Sequence, residues 1–105
     1  MPAEPRRIIW APRAKRDLGD IWRYYARVAS LETADELLRE IEGAAQRLAE
    51  NAFRWRARDE TRPGLRSALV HPYVIFYRLE NGVVQIVRVL HGRRNFAAIF
   101  SDSKR

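Results

Sequence analysis

Three runs rich in β-branched and aromatic residues crowd the second half of the chain: LRSALVH (Leu65–His71), YVIFYRL (Tyr73–Leu79) and VVQIVRVLH (Val83–His91). His71-Pro72 separates the first two, and Asn81-Gly82 separates the last two. Asn-Gly is the strongest short hairpin signal, because the favoured two-residue turn needs positive φ at both of its central residues. Strand side chains alternate between faces. Strict alternation puts Tyr73, Ile75, Tyr77 and Leu79 on one face and Val74, Phe76 and Arg78 on the other. In the last run it groups Val83, Gln85, Val87 and Val89 against Val84, Ile86, Arg88 and Leu90. Both faces are largely apolar, so the sheet needs a layer on each side.

One layer is supplied upstream. RRIIW (Arg6–Trp10) reads as a short strand, and Pro12 suits the first turn of a helix, where its missing N–H costs nothing. Ala14, Leu18, Ile21, Trp22, Tyr25 and Val28 then recur at helical spacing, with Arg13, Lys15, Arg16, Asp17, Asp20, Arg23 and Arg27 between them. Tyr24 falls off that stripe. Ser30 suits an N-cap, with Glu32 in the first turn favoured by the dipole. Ala34, Leu37, Leu38, Ile41, Ala45 and Leu48 form a second stripe. A break of a few residues around Ala29–Leu31 implies an antiparallel helical hairpin. Residues 51–64, NAFRWRARDETRPG, lack periodicity and read as a loop with a strand edge, ending in the Pro63-Gly64 turn signal. The expected fold is α+β, in the order β-α-α-β-β-β, with the hairpin packed on one face of a small, mostly antiparallel sheet. The 105 residues favour one domain, with 1–5 and 101–105 as loose ends. The second face has two candidate covers: the tail NFAAIF (Asn95–Phe100) folded back, or a partner docking on an apolar surface with embedded arginines.

Charge indicates the partner. The net charge is +7, yet residues 1–53 hold nine basic and nine acidic residues, while residues 54–105 hold eleven and four. Eighteen of the twenty basic residues are arginine. A high-GC genome accounts for arginine over lysine, but not for the asymmetry. Arginine pairs bidentately with carboxylate and phosphate, so this half predicts nucleic acid or an acidic protein segment as its partner. There is no cysteine for a disulfide or thiolate site, which fits a cytoplasmic location. No apolar run approaches the roughly 20 residues that span a bilayer, so no membrane association is expected. MPAEPRR lacks an apolar h-region, and no secretion signal is expected.

RVLHGRRN (Arg88–Asn95) carries His91 and three arginines, and a catalytic role for it has to be weighed. His71, ahead of a proline in a turn, reads as structural. His91 could serve as a general acid or base, but Glu80 and Asp102, the sequence-near acids, lack motif spacing. No metal cluster or glycine-rich phosphate loop is present, and neither a metal nor a cofactor is expected. Arg66, Arg88, Arg93 and Arg94 make an anion-binding array without an evident acid–base pair, which favours binding over catalysis.

IIWAPRAKRDLGDIWRYYA, LAEN, RPGLRS and YVIFYRLENGVVQIVRVLHGRRN, taken together over roughly Ile8 to Phe100, resemble the ParE toxins of the RelE/ParE superfamily. The resemblance implies the toxin half of a bacterial type II toxin–antitoxin module. Its partner would be a ParD-like antitoxin whose acidic, partly disordered C-terminal segment wraps the toxin, giving a hetero-oligomer. The cellular effect would be poisoning of DNA gyrase, with growth arrest. Target contact would then fall to His91, Arg93, Arg94 and Phe96, and antitoxin contact to Trp22, Tyr25, Phe76, Arg78 and Arg88. The RelE branch implies a ribosome-dependent mRNA endoribonuclease instead, for which His91, Arg66 and Arg88 would be the catalytic set; Arg66 and Arg88 match superfamily arginine positions. That branch often uses a C-terminal tyrosine or histidine, and here the last tyrosine is Tyr77. A third reading is an inert, antitoxin-binding relic. Ala52 stands where proline is common in the family, and Ala11 replaces the usual Ser or Thr helix cap.

Overall fold

A computed structural model describes residues 7–51 and 64–102. The order is β1 (Arg7–Trp10), α1 (Pro12–Val28), α2 (Leu31–Asn51), β2 (Arg66–Val70), β3 (Tyr73–Glu80), β4 (Val83–His91) and α3 (Phe96–Asp102). The loop between α2 and β2, with its expected strand edge, lies outside the described residues apart from its two ends, Asn51 and Gly64. The strands line up as β1-β4-β3-β2. β1 runs parallel to β4, and the other pairings are antiparallel.

Local signals account for the element ends. Pro12 opens α1, and Ala11 supplies no side-chain cap. Ala11 instead holds its place through its backbone: its N–H donates to the Ile86 carbonyl (2.9 Å) and its carbonyl accepts from Lys15 N–H (3.0 Å). Ser30 Oγ accepts the Thr33 N–H at 3.0 Å, satisfying one of the orphan donors of α2. Asn81 (φ 51°) and Gly82 (φ 73°) both adopt the left-handed region that the β3–β4 turn demands.

The helical hairpin packs on one face of the sheet. Ala14, Ile21, Ile41, Ala45 and Leu48 meet Ala68, Tyr73, Ile75, Tyr77, Val84, Ile86 and Val89 there, with Ile8 and Trp10 at its margin. α3 covers part of the other face. Its Phe96, Ile99 and Phe100 join Leu65, Val74, Phe76, Val87 and Leu90 in a second core. Of the two candidate covers, the tail therefore supplies this layer. Phe76 is the centrepiece: its ring stands edge-on to Phe96 (centroids 4.7 Å apart) and Phe100 (4.9 Å).

Strict alternation fails in β4. Phe76 pairs with Arg88, but Tyr77 pairs with Ile86, which leaves Val87 as an extra residue. Such a bulge shifts the alternation by one. Val89 therefore joins Val84 and Ile86 under the helices, while Val87 and Leu90 turn to the α3 side. The grouping of Leu90 with Val84 and Ile86, and of Val89 with Val83, Gln85 and Val87, is corrected accordingly.

Candidate functional site

The bulge sits beside α1. Arg88 Nε donates to Asp17 Oδ2 (2.8 Å) and Arg88 Nη2 to Asp17 Oδ1 (3.0 Å), a bidentate fork. Val89 N–H also donates to Asp17 Oδ2, at 2.9 Å. Both charged side chains are only 11% exposed, so this is an internal clasp between the first helix and the last strand. The expectation that Arg88 and Arg78 share an open docking face is corrected: Arg88 is turned toward α1 and committed there. Asp17 is a structural residue that sequence reading passed over as one of several charged residues between stripe positions. Its spacing carried the signal. It lies three residues after Ala14 and four before Ile21, the two buried positions of α1, so it sits within the apolar stripe, where a carboxylate needs a partner.

Beyond the clasp, β4 ends in a tight turn. Gly92 N–H donates to the Pro72 carbonyl (2.9 Å) and Arg94 N–H to the His91 carbonyl (3.0 Å). His91 Nδ1 accepts the Arg93 N–H at 3.1 Å, and the ring stands edge-on to Tyr73 with centroids 5.5 Å apart. Arg93 and Arg94 are exposed, whereas Phe96 is half-buried against the second core. Asn95 Oδ1 then accepts the Ala98 N–H (3.1 Å) and starts α3. A cleft of about 130 Å³ opens where this turn meets α1, lined by Asp17, Asp20, Tyr73, His91 and Arg94 among others. The fold thus brings two α1 carboxylates to the same cleft as His91, although the chain near His91 offers no acid at motif spacing.

The phenols behind the cleft stay neutral. Burial, then a hydrogen bond with Tyr25 and the nearby phenols of Tyr25 and Tyr24, push Tyr73 well above its ordinary range. Burial pushes Tyr77 up to about 12, against an opposing pull from Arg66. Neither tyrosine is poised to exchange a proton near neutral pH.

The remaining candidates are scattered. Trp22 Nε1 donates to Asp35 Oδ1 (2.8 Å), tying α1 to α2. Tyr25 packs on the helix-side core, edge-on to Tyr73. Phe76 is fully buried under α3, which corrects its placement on an exposed partner-binding face. Arg66 is half-buried at the start of β2, opposite Tyr77. Arg78 is half-buried on the face away from the helical hairpin, in a cross-strand row with Gln85 and Ile9. The neighbouring row is Glu80, Val83 and Arg7. A shallow cleft of about 220 Å³ lies at these rows, lined by Ile9, Glu80, Asn81, Val83 and Gln85. Among the described residues, no three His, Cys, Asp or Glu side chains group as metal ligands, and no helix is long and apolar enough to cross a membrane.

A helical hairpin on a four-stranded sheet, with arginines gathered at the end of the last strand, has the architecture of the small toxins of toxin–antitoxin systems. A solved chain from the chromosomal ParDE TA system of P. aeruginosa shares the fold with a TM-score of 0.74 at 23% identity, covering 85% of this chain and 98% of that one. The family model for the ParE toxin of the type II toxin–antitoxin system, parDE, matches residues 8–96, and the chain belongs to that family. Toxin ParE1 of Mycobacterium tuberculosis is 36% identical over 83% of this chain and 90% of its own length. Toxin RelE2 of Caulobacter vibrioides is 37% identical over 83% of this chain and 96% of its own.

Proposed function

We propose that the protein acts as a ParE-type poison of DNA gyrase in the cytoplasm, and that a ParD-like antitoxin neutralises it in a hetero-oligomer. The observation that carries this reading is the exposed Arg93–Arg94 pair, held by the pinned turn at the end of β4, in a chain of the ParE family. Two exposed guanidinium groups on a backbone-pinned turn suit contact with an acidic or phosphate-bearing surface. The endoribonuclease reading draws less support. Arg88 spends its fork on Asp17, and the Nδ1 of His91 is occupied by a backbone N–H.

For the antitoxin, the half-face with Arg7, Ile9, Arg78 and Gln85 offers apolar area flanked by positive charge. The exposed Tyr24, Val28 and Leu31 at the hairpin tip extend that offer, with Trp22 and Tyr25 alongside. An acidic segment that orders on binding fits such a divided surface. Arg78→Glu is expected to weaken antitoxin binding about tenfold by titration calorimetry while leaving the thermal midpoint in place; unchanged affinity would remove Arg78 from the interface.

The target reading is tested with purified gyrase and relaxed or supercoiled plasmid. The wild-type chain is expected to inhibit supercoiling or accumulate cleavage complexes. The double variant Arg93→Glu, Arg94→Glu should lose at least about tenfold of that potency, since like-for-opposite charge exchange at a contact costs more than a kilocalorie per mole. Gyrase activity unaffected by the wild-type chain would reject the target. Codon-positioned mRNA cuts in a translation mix would favour the RNase branch, and growth unaffected by induction without antitoxin would favour an inert relic.

A further inference from the structure

The turn that presents Arg93 and Arg94 is fastened by a lone pair that a proton can take. His91 Nδ1 is the acceptor for Arg93 N–H, so the ring is neutral in this arrangement, with its other nitrogen carrying the hydrogen. The remaining fastenings, Gly92 N–H to Pro72 O and Arg94 N–H to His91 O, are backbone bonds that protonation does not remove. We propose that His91 makes this turn a proton-sensitive latch: the neutral imidazole holds Arg93 in place, and the imidazolium releases it and turns toward the acidic wall of α1. This inference concerns the turn itself and holds whichever partner the turn meets.

The surroundings favour release once the ring is charged. On the turn side stand Arg93 and Arg94, which repel an imidazolium. On the α1 side of the cleft stand Asp17 and Asp20, which attract it. Asp17 is already bonded to Arg88 and to Val89 N–H. Asp20, paired with Arg23 on the exposed side of the helix, is the more available acceptor. β3 contributes Tyr73, a buried phenol that stays neutral and adds no charge, with Tyr25 and Tyr24 behind it. The facing β2–β3 turn contributes the exposed His71. An Nδ1 that has become a donor cannot accept the Arg93 N–H, and that loss is independent of the surrounding charges.

The test uses the full-length, isotope-labelled protein and NMR between pH 8 and pH 5. At pH 8 the His91 ring nitrogens should report a bare Nδ1 and a protonated Nε2. As the ring titrates, the Arg93 amide should lose about fivefold of its exchange protection, the usual worth of one hydrogen bond, while Gly92, bonded to Pro72, keeps its own. His91→Asn places an amide oxygen near the position of Nδ1 and does not titrate, so its Arg93 protection should stay flat across the same range. Three results would overturn the proposal: a ring that carries its hydrogen on Nδ1 at pH 8, a ring that remains neutral at pH 5, or protection that falls equally in His91→Asn.

Discussion

Asp17→Ala is expected to destabilise the fold by about 3–5 kcal/mol, the usual cost of removing one partner from a buried ion pair. The charge left behind is the Arg88 guanidinium, in a position only 11% exposed, and the Val89 N–H loses its acceptor with it. A domain of this size loses about 4–8 °C in Tm per kcal/mol, so thermal unfolding followed by circular dichroism should show a drop of at least about 12 °C. Arg88→Met should cost a similar amount, because it strands the carboxylate instead. The double variant Asp17→Leu, Arg88→Met should recover much of the loss, since an apolar pair leaves no buried charge. A fall of under about 1 kcal/mol in Asp17→Ala would show that the clasp adds little, and would place the helix–strand connection in the apolar core alone.

The second large effect is expected at Phe100. Phe100→Ala should cost about 3–5 kcal/mol in urea unfolding, the range for emptying a buried phenylalanine site. Its side chain is 1% exposed and its ring touches that of Phe76, which is 0% exposed. Phe76→Ala should fall at the upper end, because Phe76 also meets Phe96. The double variant should cost less than the sum of the two, as both empty the same core. A dye that binds apolar surface should brighten on Phe100→Ala if α3 undocks and bares Val74 and Leu90. A near-wild-type midpoint with no dye binding would mean that α3 holds without its aromatic anchor.

These two residues mark where sequence reading succeeds and where it stops. The helices, the three C-terminal strands and the Asn81-Gly82 turn were legible, because periodicity and turn chemistry are local. That the sheet needed two layers was also legible from the apolar faces of β3 and β4. Which layer covers the second face was not, since NFAAIF and an acidic partner make equal sense from composition. The bulge at Val87 was invisible for a deeper reason. A bulge is a property of two strands in register, and VVQIVRVL, largely apolar on both faces, offers no clean alternation whose break would reveal it. Strict alternation past Val87 therefore put Val89 and Leu90 each on the wrong face. The partnership of Asp17 with Arg88 spans most of the chain. The only local hint was a carboxylate inside an apolar stripe.

The candidate site was legible as a stretch and not as a geometry. RVLHGRRN drew attention through its composition, and it does form the exposed basic turn. The acids that share the cleft with His91 arrive from α1, far away in sequence.

That strand order has a consequence for how the protein comes into being. β1 finds its only described neighbour in β4, which is made long after it. A chain emerging from the ribosome can form the helical hairpin early, but its first strand stays without its described partner until residues 83–91 are out. Pairings this distant in sequence form slowly, because a long loop must close before any contact rewards it. The basic turn follows β4 directly, so the arginines read here as the harmful end are organised in the same late step. During synthesis a nascent copy therefore lacks its assembled contact surface, and an antitoxin translated alongside it has that interval in which to arrive.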